Sequence, residues 1–246
     1  MIRGTLSKLW ARHIVAGFGQ QTGRPQIFDS IVGYEGIKRT FIRSLNSKDP
    51  VHFLLIGAPG QAKTLFLKCI LEEFELNKAF FTAGGNASKS GIIDVLFDMR
   101  PRYLLIDEIE LLKSEYQTML LSLMETGILT QTMHKKVRQT HLKTWVFATS
   151  NGTKRVSQPL LSRFRVMYVN QYDFAQFYEI SVKQLLHEGL SQYTADEITK
   201  SVWEQLPNPN IRNCMQIGRL VKNEQNIEMA IADEIQNFKE YGGYER

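Results

Sequence analysis

The chain has 246 residues, 43% of them hydrophobic, and a formal net charge of +5, so it is long enough to bury a sizeable core. Its apolar runs are far shorter than the roughly 20 residues of a membrane-spanning helix, and its N-terminus lacks the apolar stretch of a signal peptide. We therefore expect a cytoplasmic protein with no membrane partner. Cys69 and Cys214 lie far apart without C-x-x-C spacing, which favours neither a disulfide framework nor a zinc site.

Three parts of the chain differ in pattern. Residues 1–26 carry several basic side chains and end at a Gly/Pro break, which is typical of an extension outside the main fold. Residues 27–169 alternate strand-like and helix-like stretches, and residues 170–246 show only helical periodicity. We predict a basic N-terminal extension, an α/β core and a small helical domain.

The elements of the core follow in a regular order. Ile37, Phe41 and Leu45 recur every four residues and predict the first helix. Five strand-like runs come next, namely HFLLIG, KAFFTA, RYLLID, TWVFATS and VMYV. Helix-like stretches separate the first four, namely TLFLKCILEEF, SGIIDVLFDM and SEYQTMLLSLME. Apolar strands that alternate with helices indicate a parallel five-stranded sheet with both faces buried, that is, an αβα sandwich.

The segment GAPGQAKT joins the first strand to the next helix and differs at one position from the phosphate-binding pattern G-x-x-x-x-G-K-[ST]. Backbone N–H groups and the positive helix end would face an anion there. Lys63 would reach the terminal phosphates, and the hydroxyl of Thr64 would bind magnesium. Ala62 replaces the usual glycine, which is tolerated if its φ is negative. Taken alone, the segment also fits an ordinary strand–turn–helix.

Two acids directly follow the strand in YLLIDEIE. Asp107 and Glu108 would lie at the carboxyl edge of the sheet, where open α/β sheets bind their ligands. Asp107 would hold magnesium through water, and Glu108 would polarise the attacking water for phosphoryl transfer. A surface acidic turn is the alternative, but it does not explain carboxylates next to a buried strand. The two motifs together predict a P-loop NTPase.

These motifs resemble those of the AAA+ ATPases, and the resemblance extends over nearly the whole chain from Phe28 onward. GAPGQAKT is similar to Walker A, in the form found in MoxR-like members, and LLIDE is similar to Walker B. The resemblance implies a P-loop core with an all-α lid, ATP and Mg²⁺ as cofactors, and a ring of identical subunits, usually a hexamer. The nucleotide-binding residues that it implies are Gly57, Ala58, Pro59, Gly60, Gln61, Ala62, Lys63, Thr64, Leu65 and Asp107.

Shorter segments resemble other motifs of the same family. WVFATSN is similar to sensor 1, in which Asn151 would orient the attacking water, and PLLSRFR is similar to the arginine-finger motif, in which Arg163 matches best and Arg165 second. NPNIRNCMQIGRLV resembles sensor 2, with Arg212 in the lid. The segment that packs on adenine corresponds to Ile31, Val32 and Gly33. Each has a plainer alternative as a turn, a solvated charge or a core residue.

A hairpin is predicted between Walker B and sensor 1, because the β-prone arms ILTQTM and VRQTHL flank a basic tip. Its position is similar to that of a hairpin in the RuvB and MCM branches, where lysines would neutralise DNA phosphates. The alternative is a solvated hairpin whose lysines protect its edge from pairing. AGGNASKSG resembles a second RuvB loop. The predicted contacts with DNA or another partner are Lys89, His134, Lys135, Lys136 and Arg138.

The resemblance implies an ATP-driven ring motor, with a RuvB-like helicase or translocase activity of the branch-migration type on DNA. Two alternatives remain open, a MoxR-like remodeller of a protein partner and a nucleotide-dependent scaffold that hydrolyses ATP poorly. We expect no winged-helix domain like that of RuvB after the fourth predicted lid helix, which weakens the interpretation as a DNA motor.

Overall fold

The computed structural model describes residues 27–74, 78–86, 89–133 and 136–241. The predicted N-terminal extension, His134 and Lys135 lie outside these ranges. The described chain forms two compact units. The core unit contains the residues up to Ile56 together with Ala62–Tyr168, and the helical unit contains Gly57–Gln61 together with the residues from Val169 onward.

The described part of the core unit contains seven strands, five α-helices and two short 3-10 helices. The strands are β1 (Phe53–Ile56), β2 (Ala79–Ala83), β3 (Tyr103–Asp107), β4 (Ile128–Met133), β5 (Lys136–His141), β6 (Trp145–Ser150) and β7 (Arg165–Tyr168). The helices are α1 (Glu35–Leu45), α2 (Lys63–Phe74), α3 (Lys89–Asp98), α4 (Ser114–Thr126) and α5 (Gln158–Leu161). Five of the strands pair in parallel in the order β2-β3-β6-β1-β7. The predicted five-stranded parallel sheet of a P-loop αβα sandwich is thereby confirmed.

The two faces of this sheet carry different side chains. Leu104, Ile106 and Val146 belong to an aliphatic cluster with residues of α3 and α4 such as Ile92 and Leu120. Aromatic rings cover the opposite face. The ring centroid of Phe41 in α1 lies 5.0 Å from that of Phe53, 5.2 Å from that of Phe147 and 5.4 Å from that of Phe66 in α2. Burial of each such ring contributes roughly 1.5–3 kcal/mol to stability, so α1 and α2 are packed firmly on the sheet.

Strands β4 and β5 form a separate antiparallel hairpin. Its register runs from the pair Ile128 and His141 to the pair Met133 and Lys136, which confirms the predicted hairpin. Leu129 in β4 and Leu142 just after β5 are buried in the aliphatic cluster of the core unit, so the base of the hairpin is held by apolar packing.

The helical unit contains α6 (Phe174–His187), α7 (Gln192–Gln205), α8 (Ile211–Val221) and α9 (Ile227–Tyr241). Their apolar sides meet in one cluster, to which Leu185, Ile198 and Ile217 contribute fully buried side chains. Cys214 lies in the same cluster, and burial raises the pKa of its thiol to about 12. The predicted all-α C-terminal part is confirmed. Among the described helices, none combines the length and the apolar character that crossing a membrane requires.

A buried histidine joins three elements at the amino end of β1. His52 Nδ1 accepts a hydrogen bond from the backbone N–H of Val146 at 3.0 Å, and its Nε2 lies 3.4 Å from the carbonyl oxygen of Met124 in α4. The accepting Nδ1 requires the other ring nitrogen to carry the proton, so the ring is neutral. Burial, the main cause, lowers the pKa of His52 from 6.5 to about 4.

This lowered pKa predicts an acid-dependent loss of stability. Between the two pKa values the unfolded chain binds a proton at His52 that the folded chain does not. The contribution of neutral His52 to the unfolding free energy is therefore complete above pH 6.5 and is lost as the pH falls towards 4. The unfolding free energy should drop by about 2 kcal/mol between pH 7.5 and pH 5 through His52 alone. In urea denaturation, the difference in unfolding free energy between wild type and His52→Gln should shrink by that amount. Parallel pH profiles would contradict the assignment.

Candidate functional site

The last residue of the loop before α2 and the first residue of α2 are both buried. Ala62 is 8% exposed and Lys63, the first residue of α2, is 5% exposed. Ala62 does not have a positive φ, so its methyl group adds no backbone strain and the departure from glycine is tolerated. Leu65, one position beyond Thr64, is 38% exposed. Helix α2 therefore begins at Lys63, the residue that the sequence predicts to contact the terminal phosphates.

Residues Gly57–Gln61 of the same loop belong to the helical unit. A Cβ atom on Gly57 would lie only 2.6 Å from the carbonyl oxygen of Val169, so this position has no room for a side chain. Within the helical unit, the loop lines a cavity of about 60 Å³ with Tyr172, Trp203 and Asn210. Asn210 caps α8 through a capping box with Asn213. Arg212 lies in the first turn of α8 and is exposed.

Asp107 is the centre of the polar contacts in the core unit. The hydroxyl of Thr64 lies 3.0 Å from each of its two carboxylate oxygens, and the hydroxyl of Thr149 donates to Oδ1. Strands β3 and β6 are neighbours in register, with Ile106 opposite Ala148, which brings the next residue of each strand together. The structure thus brings together Thr64 and Asp107, as the sequence predicted, and adds Thr149. The two hydroxyl residues that end the otherwise apolar run WVFATS were the available signal.

The backbone of Glu108 adopts an unusual conformation. Its φ is 55° and its ψ is 53°, in the left-handed region, which costs roughly 1–2 kcal/mol for a residue with a Cβ. Two hydrogen bonds maintain it. The N–H of Glu108 donates to the hydroxyl of Thr149 at 3.0 Å, and its carbonyl accepts the N–H of Leu111 at 2.9 Å. Glu108 is exposed, so a strained but fixed backbone holds an accessible carboxylate beside Asp107.

The segment after β6 is tied to the segment after β3 at several points. Asn151 is exposed, and its backbone N–H donates to Glu110 Oε1 at 2.9 Å. Further along, the buried amide of Gln117 in α4 donates to the carbonyl of Arg155 at 2.9 Å and accepts the N–H of Ser157 at 2.8 Å. Sequence reasoning missed Glu110 and Gln117, because such contacts between distant segments leave no local pattern.

The two candidate finger arginines have different surroundings. Arg163 donates from Nη2 to Glu125 Oε1 in α4 at 2.7 Å. Arg165 begins the edge strand β7, where its backbone N–H donates to the carbonyl of His52 at 2.8 Å and its guanidinium carbon lies 6.0 Å from the ring centroid of Phe53. Both arginines are exposed. The geometry therefore does not exclude either, but only Arg163 has a described carboxylate partner for its side chain.

The predicted adenine segment lies before α1. Ile31 is 2% exposed, and its backbone N–H donates to the carbonyl of Phe28 at 3.0 Å. Val32 and Gly33 are partly exposed, and Gly33 has a φ of 72°. Ile31 is therefore a core residue, whereas Val32 and Gly33 retain accessible surface.

Of the predicted DNA contacts, the structure describes the side-chain contacts of Arg138 but not those of the lysines. Lys89 begins α3 and Lys136 begins β5, but their side chains lie outside the described part of the chain. The side chain of Arg138 donates to Asp94 in α3 at 2.6 Å and to Gln131 in β4, and its guanidinium stacks 4.7 Å from the ring centroid of Phe97. Arg138 thus joins the hairpin to α3, and its contact with DNA or another partner stays a prediction.

Two adjacent glycines offer a test of how Glu108 is held. A Cβ atom on the buried Gly84 would lie 2.2 Å from the carbonyl oxygen of Glu108, whereas one on Gly85 would make an ordinary contact of 3.4 Å with Leu111. Gly84→Ala should therefore force the strained backbone of Glu108 to move and lower the unfolding free energy by about 1–3 kcal/mol. Gly85→Ala is the matched control and should change it by less than about 0.5 kcal/mol. Equal midpoints of urea denaturation for both variants would refute this packing constraint.

Comparisons with known proteins place these features in a family. The sequence model of the Holliday junction DNA helicase RuvB P-loop domain matches residues 23–169. A proline-to-glycine mutant of RuvB from Thermotoga maritima has a similar fold, with a TM-score of 0.67 and 19% identity over 88% of this chain and 74% of that chain. The Thermotoga maritima RuvB Holliday junction branch migration motor gives a TM-score of 0.63 and 21% identity over 87% of this chain and 72% of that chain. No curated protein sequence matches.

The structural similarities, at this level of identity, establish the fold, and the match to the family covers more than half of the chain. With Walker A at the start of α2 and Walker B at the end of β3, the chain belongs to the RuvB P-loop domain family and has the core of a RuvB-like AAA+ ATPase.

Proposed function

We propose that this chain binds and hydrolyses Mg-ATP as a ring of identical subunits, in which the hydrolysis drives movement along DNA. The observation that supports it most is the hydrogen bond of Thr64, at the start of α2, to both carboxylate oxygens of Asp107. This contact joins Walker A to Walker B directly. Glu108, the next residue, has an exposed side chain and would polarise the attacking water.

The donor set fits a nucleotide with its magnesium ion. Thr64 and Asp107 supply hard oxygen atoms close to each other, which is the ligand type that magnesium prefers. Lys63 is positioned in the first turn of α2, where the helix dipole also favours anions. When bound, the magnesium ion would neutralise charge on the phosphate oxygens. Thr64 and Asp107 would hold it, and Lys63 would contact the terminal phosphates.

Different residues would then have different roles in hydrolysis. Glu108 would accept a hydrogen bond from the attacking water and polarise it, and Asn151 would orient that water. Arg163 of a neighbouring subunit would stabilise the charge that develops on the γ-phosphate. Arg212 would contact the nucleotide, as its resemblance to sensor 2 implies. The need for an arginine from a neighbour is the reason for a ring.

DNA is the substrate that we propose, because the matching family is named for a DNA helicase. The β4–β5 hairpin has the position that the sequence resemblance assigned to a DNA-contacting or partner-contacting hairpin. Since the side chain of Arg138 is bonded to Asp94 and Gln131, the phosphate contacts would fall to Lys135 and Lys136. These contacts are electrostatic and independent of DNA sequence.

Two Walker substitutions test the ATPase proposal. Lys63→Ala should abolish ATP binding, whereas Glu108→Gln should keep ATP binding and lower kcat by about 100-fold or more, because it removes the base and not the phosphate cradle. Binding is measured by titration calorimetry and turnover by phosphate release. Lys68→Ala, an exposed lysine of the same helix, is the control and should leave both unchanged. Undiminished turnover in Glu108→Gln would contradict the assigned role.

A salt titration tests the DNA proposal. The double variant Lys135→Ala/Lys136→Ala should bind branched DNA more weakly, and the slope of log K against log salt should fall by about 1 for each phosphate that the variant no longer neutralises. ATP turnover without DNA should be unchanged. Lys143→Ala is the control for loss of a lysine elsewhere, because its ammonium pairs with Asp49 at 2.9 Å, and it removes one positive charge where the double variant removes two. If branched DNA neither binds to the assembled protein nor changes its ATPase rate, a protein partner becomes the better candidate.

A further inference from the structure

We infer that Glu125 is a positioning residue for the proposed arginine finger, that is, it holds the guanidinium of Arg163 in the orientation in which a neighbouring subunit's nucleotide meets it. This inference rests on the proposed function of Arg163. Glu125 Oε1 accepts the hydrogen bond of Arg163 Nη2 at 2.7 Å, with the two side chains 51% and 39% exposed. An ion pair this exposed contributes at most about 1 kcal/mol to stability, so loss of Glu125 should change the orientation of the guanidinium without unfolding the core unit.

The backbone on both sides of Arg163 is already fixed by packing. Leu160 is fully buried and Phe164 is 7% exposed, and both belong to the aliphatic cluster of the core unit. The N–H of Arg163 also donates to the carbonyl of Leu160 at 3.1 Å. Gln117 holds the start of this segment through the N–H of Ser157. The main remaining freedom at Arg163 is therefore that of its long side chain.

A carboxylate on one side of a guanidinium restricts this freedom without using all of its donors. Arginine has five N–H donors in a rigid planar fork, and the bond to Glu125 leaves donors on the other nitrogens for phosphate oxygens. Holding a reacting or stabilising group in place before the reaction lowers the entropy that must be lost in the transition state. Glu125 would thus raise the rate through Arg163 without touching the nucleotide itself.

The first experiment measures turnover in variants of this pair. Glu125→Ala should lower kcat of the assembled protein about tenfold with unchanged ATP affinity, because a misplaced finger affects the transition state and not ground-state binding. Glu125→Gln keeps an oxygen acceptor and should lose no more than about threefold. In the Arg163→Ala background, Glu125→Ala should have no further effect. Glu115→Ala, at the other end of α4, removes the same charge and should leave kcat unchanged.

A mixing experiment shows whether Glu125 acts on the neighbouring site. Arg163→Ala subunits need a finger from a neighbour, and Glu108→Gln subunits can donate one without hydrolysing ATP themselves. Mixed assemblies of the two should recover turnover, and donors that also carry Glu125→Ala should restore about tenfold less. Native mass spectrometry verifies that all mixtures assemble to the same extent.

The outcomes distinguish failure of the inference from failure of the proposed function. Wild-type turnover in Arg163→Ala would refute the finger assignment and the inference with it. An inactive Arg163→Ala combined with normal turnover in Glu125→Ala would leave the finger in place and refute only the role of Glu125. A rise of kcat in Glu125→Ala would also refute it, because the pair would then restrain the finger instead of presenting it.

Discussion

The candidate site depends on the hydrogen bonds that the carboxylate of Asp107 accepts. Asp107 ends β3, accepts a hydrogen bond from Thr64 in the first turn of α2 and accepts another from Thr149 in β6. Hydrogen bonds to an ionised acceptor are roughly twice as strong as neutral ones. Three segments that are far apart in sequence therefore meet at one charged group, and the start of α2 cannot move relative to β3 and β6 without breaking these bonds.

Packing away from the site supports the same arrangement. Thr64 precedes Phe66 by two residues, and Phe66 is fully buried against Phe41 on the aromatic face of the sheet. The start of α2 is thus fixed by apolar contacts on one side and by Asp107 on the other. Because aromatic rings pack with little freedom, the position of Lys63 is set by the core itself, before any ligand is bound. A fixed start of α2 is what the proposed phosphoryl transfer would require.

The sequence predicted the strands and the motifs well, for a physical reason. A parallel strand that is buried on both faces needs a continuous apolar run, and such runs as FLLI and YLLI are visible without a structure. Contacts between segments leave no such pattern. The contact of Thr149 with Asp107 follows from the pairing of β3 with β6. The contacts of Gln117 and Glu125 depend on the packing of α4 against the segment that follows β6. For the same reason Arg138 was assigned to DNA from its charge, whereas Asp94 in α3 supplies its partner.

The chain from Thr149 to Arg163 connects the two roles that a subunit would have in a ring. Its first residue bonds to Asp107 in the subunit's own site, and its last would serve a neighbour's site. Along this path, Glu110, Gln117 and Glu125 contact it at successive points, and all three come from the stretch that directly follows Asp107 and Glu108. Two segments joined at three points shift together more readily than apart. Together with the bond of Thr149 to the N–H of Glu108, these contacts form a continuous physical connection from Glu108 to Arg163 within one unit.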